Sequence, residues 1–342
     1  MDMRWLLGGL LVLIGIVAIL AAGGYFALKR DDIAYETLAA RYESAASRYV
    51  DLPGGIRMHY RDEGDPNGPT LLLIHGFSAS LHTWEPWVER LATGEQRLND
   101  YRVITLDLPG HGLTRAQAGY QASIEAFRDA VEAFVRSQQL TDFALAGSSM
   151  GGNVAWEYAL AHPEQVNALI LVDASGWPET RAEYADEPLI FKLLRSPAAP
   201  LLRDLDNTAL VRQGLENSFV DTALVDDAMV ARYTELSRAP GHRDILLQIT
   251  LGFRERNYAT PERLAALQMP TLVFTGDQDR LIPPENARQF ADAIPNAELV
   301  VFENVGHIPQ EERPNESSMA VHEFLYRIIE GSALAPAAVA AE

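Results

Sequence analysis

The chain has 342 residues, 48% hydrophobic and 22% charged, a composition that excludes disordered, collagenous and low-complexity classes and leaves enough chain for a substantial core. It lacks cysteine, which removes disulfides, thiolate nucleophiles, cysteine-based metal sites and cysteine-linked lipid anchors. A formal net charge of −19 repels a phosphate backbone, so nucleic acid is not an expected partner.

Trp5 to Leu28 is a stretch of 24 residues without a charge. As a helix it would rise about 36 Å, enough for a hydrocarbon core of about 30 Å. Trp5 and Tyr25 stand near its ends, where interfacial aromatics sit well. Residues 1–30 therefore read as an uncleaved N-terminal transmembrane anchor. The apolar region of a signal peptide is shorter, about 7–15 residues, although Ala21-Ala22-Gly23 keeps cleavage as the alternative. Arg4 precedes the stretch and Lys29-Arg30 follows it, so the positive charges are nearly balanced. The expectation is a bacterial inner-membrane anchor with the body outside the cytoplasm. Residues 31–50 read as a stalk, with Ile33, Leu38, Tyr42 and Tyr49 spaced loosely along a helical face, until Pro53-Gly54-Gly55 breaks the pattern.

From there the chain alternates strand and helix. Ile56–Arg61 alternates apolar and polar residues, as an edge strand would. Continuous apolar runs follow at Thr70–Ile74, Arg102–Leu106, Phe143–Ala146, Ala168–Val172, Thr271–Phe274 and Glu298–Phe302. Such runs suit parallel strands buried on both faces. Helical patterns lie at Thr83–Leu91, Ile124–Gln138, Gly152–Ala161, Glu285–Ala293 and Met319–Ile329. The alternation predicts a doubly wound α/β sheet, mostly parallel, with flanking helices. Residues 177–267 interrupt it with helical, proline-punctuated sequence too long for a plain loop, and read as a helical cap. The organisation is then anchor 1–30, stalk 31–50, core 51–176, cap 177–267, core 268–332 and a flexible tail 333–342.

The chemistry-bearing motifs all sit at strand ends, where ligands bind in open α/β sheets. Gly147-Ser148-Ser149-Met150-Gly151-Gly152 joins an apolar strand to a helix and matches G-x-S-x-G with Ser149 central. The pattern places Ser149 at the apex of a tight elbow, flanked by glycines because a Cβ two residues away would clash. The helix N-terminus behind it favours developing negative charge. Ser148 is the rival nucleophile, off the apex. His75-Gly76-Phe77-Ser78 follows the first buried strand. The backbone N–H groups of Phe77 and Met150 are the expected oxyanion hole, and His75 is expected to support the loop. Gly276-Asp277-Gln278-Asp279 ends a late strand and Gly306-His307 follows the next. The order serine, acid, histidine makes Ser149 the nucleophile, Asp279 the acid and His307 the base. Asp277 then belongs to the turn, and Asp173 is the fallback acid. Asp107–Gly112 reads as a structural loop near the site. No metal or cofactor is called for.

Together these motifs resemble the α/β-hydrolase superfamily over residues 50–330. The anchor, with His75–Ala79 and Gly147–Gly152, is similar to membrane-anchored monoacylglycerol lipases and bacterial esterases. The resemblance implies an α/β-hydrolase fold with an inserted cap, and a serine hydrolase cleaving carboxylic esters through an acyl-enzyme, with a small-molecule ester or lipid as substrate. Ser149 departs from the elbow aspartate of haloalkane dehalogenases and epoxide hydrolases, and Phe77-Ser78 from the His-Gly-Gly-Pro loop of proline iminopeptidases. A carbon–carbon bond hydrolase, a cofactor-free haloperoxidase and a non-catalytic binding module remain alternatives on the same fold. The apolar cap residues Leu189, Ile190, Phe191, Leu193, Leu194, Leu201 and Leu202 would form an acyl pocket, a membrane-docking face or simply the core of the cap.

Overall fold

The computed structural model describes residues 15–16, 19–20, 22–94, 101–178, 196, 199–252 and 257–334. Eight strands form one sheet in the order β1-β2-β4-β3-β5-β6-β7-β8. They are β1 Ser47–Leu52, β2 Ile56–Gly64, β3 Thr70–Ile74, β4 Arg102–Leu106, β5 Phe143–Ser148, β6 Val166–Val172, β7 Thr271–Gly276 and β8 Ala297–Phe302. β1–β2 and β2–β4 are antiparallel, and every later pairing is parallel.

The apolar runs of β3 to β7 are buried on both faces for a simple reason: alternate residues enter different cores, whereas β8 at the sheet edge is only half-buried. Leu72, Ile74, Leu145, Leu169 and Leu171 pack with Phe127, Phe134, Val154 and Phe290 on one side. Leu71, Leu73, Ala146, Ile170 and Phe274 pack with Trp84, Trp87, Val321 and Phe324 on the other. The helix Ile124–Ser137 shows how local sequence sets an element. The Ser123 side chain caps it by accepting from the Ala126 N–H, and Ile124, Phe127, Val131 and Phe134 form its buried stripe.

Three expectations change. Ile56–Arg61 is not an edge, because β1 pairs along β2 and takes the edge position. The Pro53-Gly54-Gly55 break is the turn of a hairpin, with Gly54 and Gly55 at φ 78° and 68°, conformations glycine adopts without strain. The stretch read as a stalk contains helix Tyr35–Tyr42 and the start of β1, and its buried Tyr35 and Leu38 pack with Leu113, Leu236 and Ala239 of the body. The helix expected over Thr83–Leu91 is three pieces: 3-10 at Leu81–Trp84, α at Glu85–Val88 and π at Glu89–Thr93. The changes in winding leave Trp84, Trp87 and Leu91 all fully buried.

Between β6 and β7 the described part of the cap carries helices Ala199–Arg203, Thr208–Ser218, Asp227–Leu236, His242–Gly252 and Pro261–Leu264. Leu189, Ile190, Phe191, Leu193 and Leu194 lie outside the described residues, as do most of the expected anchor and tail. Residues 22–28 are helical, and among the described residues no helix is long and apolar enough to cross a membrane. Just after them the chain is tied to the cap. Asp206 N–H donates to Leu28 C=O and Arg30 N–H to Asp204 C=O, each at 2.8 Å.

Candidate active site

β5 delivers the chain into a sharp turn at Ser149, whose backbone sits at φ 55°, ψ −117°, outside the ordinary regions for a residue with a side chain. Helix Met150–Ala161 starts at the next residue, and the Ser149 side chain makes no capping hydrogen bond. The packing shows why glycines surround it. A Cβ on Gly147 would come within 2.2 Å of the Gly151 carbonyl oxygen, and one on Gly151 within 2.3 Å of the Ile74 carbonyl oxygen at the end of β3. The elbow therefore rests directly on the neighbouring strand end. A Cβ on Gly76 would stand 3.1 Å from the Ser149 Cβ, which puts the loop after β3 against the serine.

That loop is held from below. The Leu108 N–H donates to His75 Nε2 at 3.0 Å, so the His75 proton sits on Nδ1, which donates to the Gly76 carbonyl at 2.8 Å. Burial lowers the His75 pKa, which keeps this neutral form. The Asp107 carboxylate accepts from His59 Nδ1 at 2.7 Å, Leu81 N–H at 2.8 Å and Leu113 N–H at 2.9 Å. Asp107 thus ties the loop after β3 to the one after β4. Phe77 lies at the surface of this arrangement, 42% exposed, and Met150 is buried at the start of its helix.

Asp279 and His307 meet. His307 Nδ1 donates to Asp279 Oδ2 at 2.7 Å, with both residues buried. Asp279 Oδ1 accepts from the Leu281 and Ile282 N–H groups at 2.7 and 3.0 Å, so its carboxylate is fixed by three donors. Asp277 is exposed and receives a long 3.4 Å bond from the Val305 N–H. Ser148 is buried, and its hydroxyl accepts from Gln310 Nε2 at 3.3 Å. Among the described residues the His307 ring hydrogen-bonds to Asp279 alone, so no Ser149–His307 hydrogen bond is formed in this structure. Such a bond is often long in a site without substrate and tightens when one is bound.

Two acidic groups complete the site. Asp173, at the end of β6, places a carboxylate oxygen within 4.8 Å of Asp279 and His307. Glu312 does not stand out in the sequence. Its oxygens accept from the Gly306 N–H at 2.7 Å and from the Val220 and Asp221 N–H groups at 2.9 and 2.8 Å. It links the loop carrying His307 to the cap, where His307 N–H also donates to Ser218 C=O at 2.7 Å. No local signal could have revealed it, because its cap partners stand about ninety positions earlier.

Comparison with known proteins identifies the family of the chain. Residues 69–314 match the family model described as the alpha/beta hydrolase fold. The chain is 25% identical to Lipase 1 of Psychrobacter immobilis over 288 residues, 79% of this chain and 80% of that protein. It is 28% identical to the 2-hydroxy-6-oxononadienedioate/2-hydroxy-6-oxononatrienedioate hydrolase of Burkholderia vietnamiensis over 297 residues, 83% of this chain and 97% of that one. Among solved structures, a membrane phospholipase A described as a bacterial virulence factor superposes with a TM-score of 0.69 at 28% identity, covering 94% of this chain and 98% of that one. An elbow serine, a histidine–carboxylate pair and these relatives converge: the chain is a hydrolase of the α/β-hydrolase family, similar to bacterial esterases and lipases.

Proposed function

We propose that the protein cleaves carboxylic esters through an acyl-enzyme. The observation that carries this reading is the buried His307–Asp279 pair at 2.7 Å, on the same rim of the sheet as the strained serine elbow. Ser149 Oγ attacks the ester carbonyl while His307 Nε2 takes its proton. Asp279 holds the opposite ring nitrogen and stabilises the imidazolium. The N–H groups of Phe77 and Met150 receive the oxyanion, aided by the helix N-terminus. His307 returns the proton to the leaving alcohol, and water attacks the acyl-enzyme by the same route.

The lipase and phospholipase relatives favour a lipid-derived ester. The apolar N-terminal stretch favours a site beside a membrane, with residues 1–30 as anchor and the body outside the cytoplasm. The similarity to a 2-hydroxy-6-oxononadienedioate hydrolase keeps carbon–carbon bond hydrolysis as the second reading. A serine-directed fluorophosphonate labels Ser149 in the intact protein if the reading holds, and Ser149→Ala lowers turnover of p-nitrophenyl butyrate by about 10⁴-fold or more. Near-normal turnover in that variant refutes the nucleophile. Labelling accompanied by turnover of vinylogous diketones but not esters transfers the function to the second reading.

A further inference from the structure

Asp173 and Asp279 end neighbouring parallel strands, and the fold brings both carboxyl groups to His307. They are served unequally. Asp279 receives three N–H donors, from Leu281, Ile282 and His307. Asp173 Oδ1 receives the Thr275 hydroxyl at 2.8 Å and a long 3.3 Å bond from the Gly276 N–H. Asp173 Oδ2 is buried and receives no hydrogen bond. Two carboxylates this close in a buried site do not both stay ionised. The shared proton belongs on the group with the bare oxygen, because the other has three donors stabilising its charge. Asp173 also holds a left-handed backbone conformation, φ 44°, which aspartate adopts more readily than most residues with a side chain. The titratable groups facing it among the described residues are Asp279 on the β7 loop and His307 on the β8 loop, and the Thr275 hydroxyl bonded to it is neutral.

We propose that Asp173 is a positioning residue: a neutral carboxylic acid that donates its proton to the Asp279 carboxylate and so locks the acid that orients His307. Burial first, and the Asp279 charge second, push Asp173 well above the ordinary carboxylate range, in agreement with the geometry. The role differs from that of a reserve triad acid, because Asp173 acts through Asp279 while it keeps its proton.

The kinetic arm of the test rests on the ester-hydrolase reading and the spectroscopic arm does not. Infrared difference spectra of wild type against Asp173→Asn, at neutral pH, carry the carbonyl stretch of a protonated carboxylic acid if the proposal is right. Absence of that band overturns it, whether or not the protein hydrolyses esters. With p-nitrophenyl butyrate, Asp173→Ala lowers kcat by about tenfold, the size expected for one hydrogen bond to a charged group. Asp173→Asn restores most of that loss, since an amide N–H can donate where the acid did, and the acid limb of its kcat/KM profile stays where wild type has it. If Asp173 were ionised, removing its charge would move that limb down by about one pH unit. Such a shift, or an Asp173→Asn variant no better than Asp173→Ala, refutes the proposal.

Discussion

Glu312 shows how much of this site depends on residues that touch no substrate. Its carboxylate is 4% exposed and its two oxygens serve the backbone N–H groups of Gly306, Val220 and Asp221. Leaving buried donors without a partner costs about 1–3 kcal/mol each. Glu312→Ala is therefore expected to destabilise the fold by about 3 kcal/mol or more and to slow fluorophosphonate labelling of Ser149, because the loop bearing His307 loses its tie to the cap. Urea denaturation and labelling rates measured on one preparation check both halves. Unchanged stability would mean that other contacts hold the loop. The same scale explains the choice between two aspartates in one motif. Asp279 turns inward under three N–H donors, whereas Asp277 stays in water.

At the level of elements, the segment after the apolar N-terminal stretch behaves as a clasp on the cap. Lys29 bridges to Leu205, Arg243 binds the Asp32 carboxylate at 2.5 Å and the Arg30 carbonyl at 2.8 Å, and Ile33 N–H donates to Arg238 C=O. Helix Tyr35–Tyr42 adds the Tyr35–His242 bond at 3.0 Å and the Arg41–Glu235 pair at 2.6 Å. Apart from the Lys29–Leu205 bridge, these contacts span more than 190 positions of sequence. An anchor at residues 1–30 would then hold the cap against the bilayer. The expected outcome is that full-length protein sediments with membranes, while a chain starting at Arg30 is released and still reacts with fluorophosphonate. A shortened chain that stays with the membrane would place the attachment elsewhere.

Over the whole molecule, pH sensitivity comes from histidines taken into the core. Burial lowers His75, His111 and His242, and takes His82 from 6.5 down to about 4. The unfolded chain binds these protons first, so unfolding takes up protons and stability falls with decreasing pH. For His82 the loss begins near 6.5 and is complete near 4. Asp107 has the same sign. Burial would raise it, but the His59 hydrogen bond and charge hold it below its ordinary value, so its contribution fades as pH falls below the carboxylate range. Asp173 works in the opposite direction, since its raised pKa makes folding take up a proton. His82→Asn should flatten the melting temperature between pH 6.5 and 4 relative to wild type. An equally steep decline in the variant would assign the acid sensitivity to other groups.

The sequence alone was enough for what is written in short range. Apolar runs located six strands of the sheet, five of which are buried on both faces and so carry apolar residues along most of their length. The G-x-S-x-G spacing located the elbow, because a tight strand-to-helix turn admits only glycine where carbonyl oxygens press in at 2.2–2.3 Å. Segments whose partners are distant were not legible. β1 looked like a helical stalk because an exposed edge strand keeps little apolar alternation, and only its hairpin with β2 defines it. The sequence already favoured Asp279 over Asp277 as the acid; tertiary structure alone supplied the three N–H donors that hold it, set Asp173 beside it and tied Glu312 to the cap. Each of those outcomes depends on which backbone N–H groups converge on a carboxylate, and that convergence exists only once strands far apart in the chain lie side by side.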